Sequence, residues 1–242
     1  MGPSFHGVFR QTNLRLDLVF NLIFPRKCVH CDREIENKKS LVCFGCEAQI
    51  NWSKPFKKEL KNQVLQGVYM PNVQGAYTLF SFYKEGVEQS LIHSLKYQGS
   101  QKTGRNLGKS LGQTFIELEG KHTIDCLVPV PIFHRKKFVR GYNQAMSIAQ
   151  GLASELKIPV QNNLLRKKKS TKSQTKLSRN QRRLNVENSF VASRAFKELR
   201  EVGIVDDVVT TGATLQELCA EIVKANESIK ITIFTLGVAR LE

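Results

Sequence analysis

A chain of 242 residues, 41% hydrophobic and 24% charged, can bury one large domain, or a domain with a small appendage, and is not disordered throughout. Its 37 Lys and Arg against 21 Asp and Glu leave a net charge of +16 and a pI near 9.7. Such an excess points to a phosphate-rich partner, whether nucleic acid, an anionic membrane face or a phosphorylated small molecule, or else to a solvated basic surface.

The first apolar stretch, Leu14 to Phe24, is interrupted by Arg15, Asp17 and Asn21 and stops at Pro25. It is too short and too polar for a membrane span or a secretory signal, so no membrane insertion is expected. Leu14, Leu18 and Leu22, with Phe20 and Ile23, suggest an amphipathic helix within residues 1–25. A cytoplasmic location is expected, where thiols stay reduced and cysteine pairs more often hold metal than form disulfides.

Residues 26–55 are dense in Cys, Lys and Glu. Cys28 and Cys31 form one CxxC pair and Cys43 and Cys46 another, with eleven residues between them. Two thiolate pairs on two turns can complete a tetrahedral Zn–S₄ site, and a site closed by four cysteines is structural, with no open position for substrate. The competing reading is redox chemistry at the CxxC pairs; His30 sits inside the first pair as an alternative ligand.

Residues 56–72, punctuated by Gly67 and Pro71, suggest a linker. Beyond it, residues 73–242 alternate strands and helices. Strands are expected over Ala76–Tyr83, Asp125–Val130, Pro159–Leu165, Phe190–Ala192, Val202–Val205 and Ile229–Val238. Helices are expected over Val87–Tyr97, Leu107–Leu118, Tyr142–Leu156 and Gly212–Ala225. This order predicts an α/β fold with a mostly parallel sheet flanked by helices, whose ligands bind beyond the carboxyl ends of the strands. Cys126 and Cys219 fall in core elements and are expected to be buried and inert.

The most informative stretch runs from Gly203 to Thr214. An apolar strand leads into Asp206 and Asp207, then Val208 and Val209, then a hydroxyl-rich turn, then a helix. Backbone N–H groups at such a turn and helix start favour an anion. Thr210, Thr211 and Thr214 add hydroxyls, and Gly212 and Ala213 let a phosphate approach the backbone. Asp206 and Asp207 repel phosphate, but they suit the hydroxyls of an attached sugar and a divalent cation beside them. The plainer alternative is an ordinary N-capped helix.

This stretch resembles the signature of type I phosphoribosyltransferases, in which the two acids contact ribose and the Thr/Gly loop holds its 5′-phosphate. Leu95–Gly99, Val128–Pro131, Arg140–Ala145 and Gln174–Arg179, continued by Arg182–Asn185 and Phe190, resemble in order the blocks of the ComF family, as do the paired CxxC motifs. The resemblance implies a type I phosphoribosyltransferase-like domain behind a four-cysteine zinc module. It further implies phosphoribosyl pyrophosphate with Mg²⁺ as ligand and a role in natural transformation. Incoming single-stranded DNA, and proteins of DNA uptake or recombination, would be the partners.

Two basic segments serve either role. Arg135 and Lys136, with Lys137 and Arg140, would by resemblance contact pyrophosphate. Residues 157–186 hold ten Lys or Arg and no acid, among them Lys167, Lys168, Lys169, Lys172, Arg179, Arg182 and Arg183. They could close over the site as a lid or follow a nucleic-acid backbone. Phe133, Phe138 and Tyr142 near the first cluster are either core residues or stacking surfaces. Three functions remain open: a transformation protein that binds a ribose phosphate and DNA, a working transferase with Asp206 and Asp207 at its catalytic centre, or a nucleic-acid adaptor.

Overall fold

The computed structural model describes residues 27–35, 40–52, 64–65, 67–68, 70–82, 85–97, 101–133, 138–168 and 189–239. The helix expected within residues 1–25 lies outside them. The chain forms two compact units, Met1–Ile50 and Asn51–Glu242.

In the first unit a short helix α1 (Phe44–Glu47) follows Cys43, and an antiparallel bridge joins Lys27 to Glu34. The second unit contains strands β1 (Val73–Phe82), β2 (Cys126–Pro129), β3 (Leu165–Lys167), β4 (Phe190–Ala192), β5 (Glu201–Val209) and β6 (Lys230–Ala239). Its helices are α2 (Val87–Tyr97), α3 (Gln101–Glu119), α4 (Gln144–Leu156) and α5 (Ala213–Ala225). Four strands form a parallel sheet in the order β1-β6-β5-β2, and β3 pairs antiparallel with β4.

Covered parallel strands read as continuous apolar runs because both faces are buried. In β6 every residue from Ile231 to Val238 is buried. Val202, Ile204, Ile231 and Ile233 join Leu215, Leu218, Cys219 and Ile222 of α5 in one core. Val64 and Val68, in the stretch read as a linker, are buried in that same core. On the opposite face Phe234 packs against Tyr77 and Phe115, the latter from α3.

Helices α3 and α4 pack at close range through small residues. A Cβ on Gly108 would stand 2.1 Å from the Ile148 carbonyl oxygen, and one on Gly151 would stand 2.0 Å from that of Arg105. The start of α4 is fixed by Asn143, whose side chain accepts a hydrogen bond from the Ala145 N–H. The Asn143 amide also donates to the Val130 carbonyl at 3.0 Å, which ties the helix to the end of β2.

The strand expected over Pro159–Leu165 does not form as such. A single parallel bridge joins Val160 to Leu127, and β3 begins only at Leu165. Pro159 lacks an N–H for a ladder, and Asn162 and Asn163 favour a turn. That bridge still places the chain after α4 outside β2, whereas the chain after α5 enters β6 on the other side of β5. The winding therefore reverses between β2 and β5, which opens a crevice at their carboxyl ends.

Candidate functional site

Strand β5 delivers its last residues to that crevice. An open hollow is lined by Asp206 and by the continuous run Val208–Leu215. At its floor Gly212 takes a left-handed conformation, φ 73°, and opens α5 with no side chain capping it. The helix's positive amino end thus faces the hollow among Thr210, Thr211 and Thr214, an arrangement that suits a phosphate. The left-handed turn requires glycine for a second reason. A Cβ there would lie 2.6 Å from Cα of Gly67, and a Cβ on Gly67 would lie 2.9 Å from the Thr211 carbonyl oxygen.

Successive strand residues point to opposite faces, so the two acids separate. Asp206 lines the hollow, and its Oδ1 accepts the Asp207 N–H at 2.8 Å. Asp207 turns toward α2, where Lys96 Nζ lies 3.1 Å from its Oδ2; its Oδ1 accepts the Val208 N–H at 2.9 Å. Their acidities diverge accordingly. Burial, reinforced by the neighbouring Asp207 charge, pushes the Asp206 carboxyl well above its ordinary value. Burial acts in the same sense on Asp207, but the Lys96 ammonium outweighs it and holds that carboxyl low, helped by the Val208 N–H and Arg140.

The chain after β2 approaches the same acid. Tyr142 donates its hydroxyl to the Leu95 carbonyl at 2.5 Å, which links this chain to the end of α2. Arg140 donates to Gln144 Oε1 at 3.2 Å. Tyr142 is core, whereas Phe138 is 91% exposed on a helical turn. Phe133 is half-buried. Arg135 and Lys136 lie outside the described residues. Among the basic residues expected on nucleic acid, Lys167 lies in β3 with its ammonium 5.0 Å from the Phe190 ring centre, and Lys168 is exposed. Lys169, Lys172, Arg179, Arg182 and Arg183 lie outside the described residues.

Every described residue expected to grip the phosphate lines the hollow, and Asp207 stands beside it with its carboxylate at Lys96 on the α2 side. Gly67 and Lys96 had no expected role. Gly67 carried only a turn signal. Lys96 carried its position in the last turn of an amphipathic helix and its place in the Leu95–Gly99 block.

In the first unit, the sulfurs of Cys28, Cys31, Cys43 and Cys46 all lie within 4.8 Å of one another, and those of Cys31 and Cys43 are 3.6 Å apart. Tetrahedral zinc about 2.3 Å from each sulfur would separate them by roughly 3.8 Å, so the cluster fits such an ion. Local backbone shapes it. The Asp32 N–H donates to the Cys28 carbonyl, and the N–H groups of Cys46 and Glu47 donate to that of Cys43. Burial raises the Cys28 thiol, but backbone N–H groups around Cys31, Cys43 and His30 overcome it and bring the thiol down to about 6, toward the thiolate that binds metal. Burial and the neighbouring thiols raise Cys46. Cys126 and Cys219 are buried, and burial raises both thiols, so they are the inert pair.

A mostly parallel sheet with helices on both faces, and a glycine-bearing phosphate-type loop closing its central strand, defines a type I phosphoribosyltransferase-like α/β protein; this one carries a four-cysteine cluster besides. No protein-family model matches the sequence. Over 206 residues the chain is 31% identical to competence protein F of Haemophilus influenzae, a match that covers 81% of this chain and 90% of that protein. It is 26% identical to competence protein ComFC of Bacillus subtilis, covering 81% of this chain and 71% of that one. It is also 29% identical to the DNA utilization protein YhgH of Escherichia coli K12, where the match covers 60% of this chain and 65% of YhgH. The chain belongs to the ComF family. Among the described residues no helix is long and apolar enough to cross a membrane.

Proposed function

We propose that this protein is a ComF-type protein of natural transformation. In this reading it binds phosphoribosyl pyrophosphate, or a related ribose phosphate, in the β5–α5 hollow and handles incoming single-stranded DNA in the cytoplasm. The observation that carries the ligand is the hollow itself, where Asp206 stands at one side of an uncapped helix amino end with three threonines around it. The amino end and the hydroxyls suit a 5′-phosphate, and a carboxyl one strand-step away suits a ribose hydroxyl. Mg²⁺ would enter with the diphosphate and neutralise its charge. The names of the relatives, competence protein and DNA utilization protein, support the cellular role. The net charge of +16 supports a nucleic-acid partner.

A working phosphoribosyltransferase is the second reading, favoured by the intact acid pair at the crevice between β2 and β5. Asp206 and Asp207 would then orient the ribose while an acceptor displaces pyrophosphate from C1, and the basic loops would stabilise the departing charge. Titrating the purified protein with phosphoribosyl pyrophosphate plus Mg²⁺, and separately with a single-stranded oligonucleotide, tests the proposal. Saturable binding in both arms is expected. Failure of the sugar phosphate to bind refutes the site, and failure of the oligonucleotide refutes the DNA role. Release of pyrophosphate with a candidate acceptor would establish the transferase.

A further inference from the structure

We infer that Lys96 is a positioning residue of the sugar-phosphate site: its ammonium group, 3.1 Å from Asp207 Oδ2, holds that carboxylate as a fixed acceptor for a ribose hydroxyl. This rests on the ribose-phosphate reading of the hollow. Three observations carry it. First, the pair lies where the chain reverses its winding, on the α2 side of the acid pair, while Asp206 serves the α5 side. Second, the end of α2 is anchored there, since the Leu95 carbonyl accepts the Tyr142 hydroxyl, so Lys96 starts from a fixed point. Third, the Asp207 carboxylate is held at both oxygens, by Lys96 and by the Val208 N–H, while its own N–H holds Asp206 Oδ1.

A purely structural role explains less. The two side chains retain only 26% and 17% exposure, and for a pair so far removed from water the desolvation cost offsets most of the gain in fold stability. Held in one rotamer, however, an ionised carboxylate meets a sugar hydroxyl with its ordering cost already met. Among the described residues, the charged and titratable groups around Asp207 are Lys96 from α2, Asp206 from β5, and Arg140 and Tyr142 from the chain after β2.

Calorimetric titration with ribose 5-phosphate tests the role in the wild type, Lys96→Met, Lys96→Arg, Asp207→Asn and the Lys96→Met/Asp207→Asn double variant. Removing one charge-assisted hydrogen bond should weaken binding by about tenfold in Lys96→Met. Lys96→Arg should recover most of the affinity, and the double variant should bind no worse than Asp207→Asn alone, since both changes remove one linkage. Unchanged affinity in Lys96→Met, no recovery in Lys96→Arg, or losses that simply add in the double variant, would overturn the inference. No binding by the wild type would instead overturn the ribose-phosphate reading.

Discussion

Gly67 and Gly212 touch backbone to backbone: a Cβ built on Gly212 falls 2.6 Å from the Gly67 Cα, although 144 residues lie between them. The segment before β1 therefore backs the turn that opens α5. Gly212→Ala meets both a left-handed conformation, costing about 1–2 kcal/mol, and this clash. It should lower the melting temperature by several degrees and abolish ribose 5-phosphate binding. Gly67→Ala meets only the crowding against Thr211 and Gly212. It should weaken binding with a smaller loss of stability, and calorimetry beside thermal melting would separate the two effects.

Asp206 makes the fold sensitive to alkali rather than acid. Burial and the adjacent Asp207 charge raise its carboxyl to about 8, against about 3.9 in the unfolded chain. Between those values the folded protein keeps a proton that the unfolded chain has lost, so this group's contribution is complete below about pH 4 and declines as pH rises towards 8. Asp207, held low chiefly by Lys96, acts oppositely and loses its contribution below about pH 4. Asp206→Asn should therefore flatten the fall in melting temperature between pH 5 and pH 8. An equal fall in wild type and variant would show that Asp206 is ionised in the folded state.

The four clustered sulfurs are expected to make the first unit depend on metal. Structural zinc contributes on the order of 10–16 kcal/mol of apparent binding free energy in small peptides, and among the described residues of this unit few apolar side chains besides the cysteines are buried. A strong chelator, or Cys28→Ser, should erase the ordered amide signals of residues 27–50 while those of the parallel sheet persist. Metal analysis should find one zinc per chain before chelation. An unaltered spectrum after complete metal removal would contradict the assignment.

Neutralising Lys167, Lys168, Lys169, Arg182 and Arg183 to Gln should weaken binding to a single-stranded oligonucleotide. The slope of log affinity against log salt should become shallower by roughly 0.7 for each phosphate that is no longer neutralised. Affinity measured at several salt concentrations decides the matter, because an unchanged slope would assign the phosphates to other residues.

The core of the candidate site was legible because it is local. From Gly203 to Thr214 strand, acids, turn and helix follow one another within a dozen residues, and short-range preferences dictate each step. The same holds for the paired cysteines, whose turns are set within four residues each. Where local signals conflict, the reading erred. Val160, Leu164 and Leu165 suggested one strand, but Pro159, Asn162 and Asn163 leave only a bridge and a late start for β3.

By itself the sequence determined where a glycine turn would open a helix after two acids and which thiols would gather, since both follow from neighbours along the chain and from side-chain type. Tertiary structure alone decided that Gly67 seals the loop, that Lys96 holds Asp207, and that the two adjacent acids look to opposite sides. Those relationships arise only when the sheet brings β5, the end of α2 and the segment before β1 together. No local preference of any one segment records which distant segment it will meet.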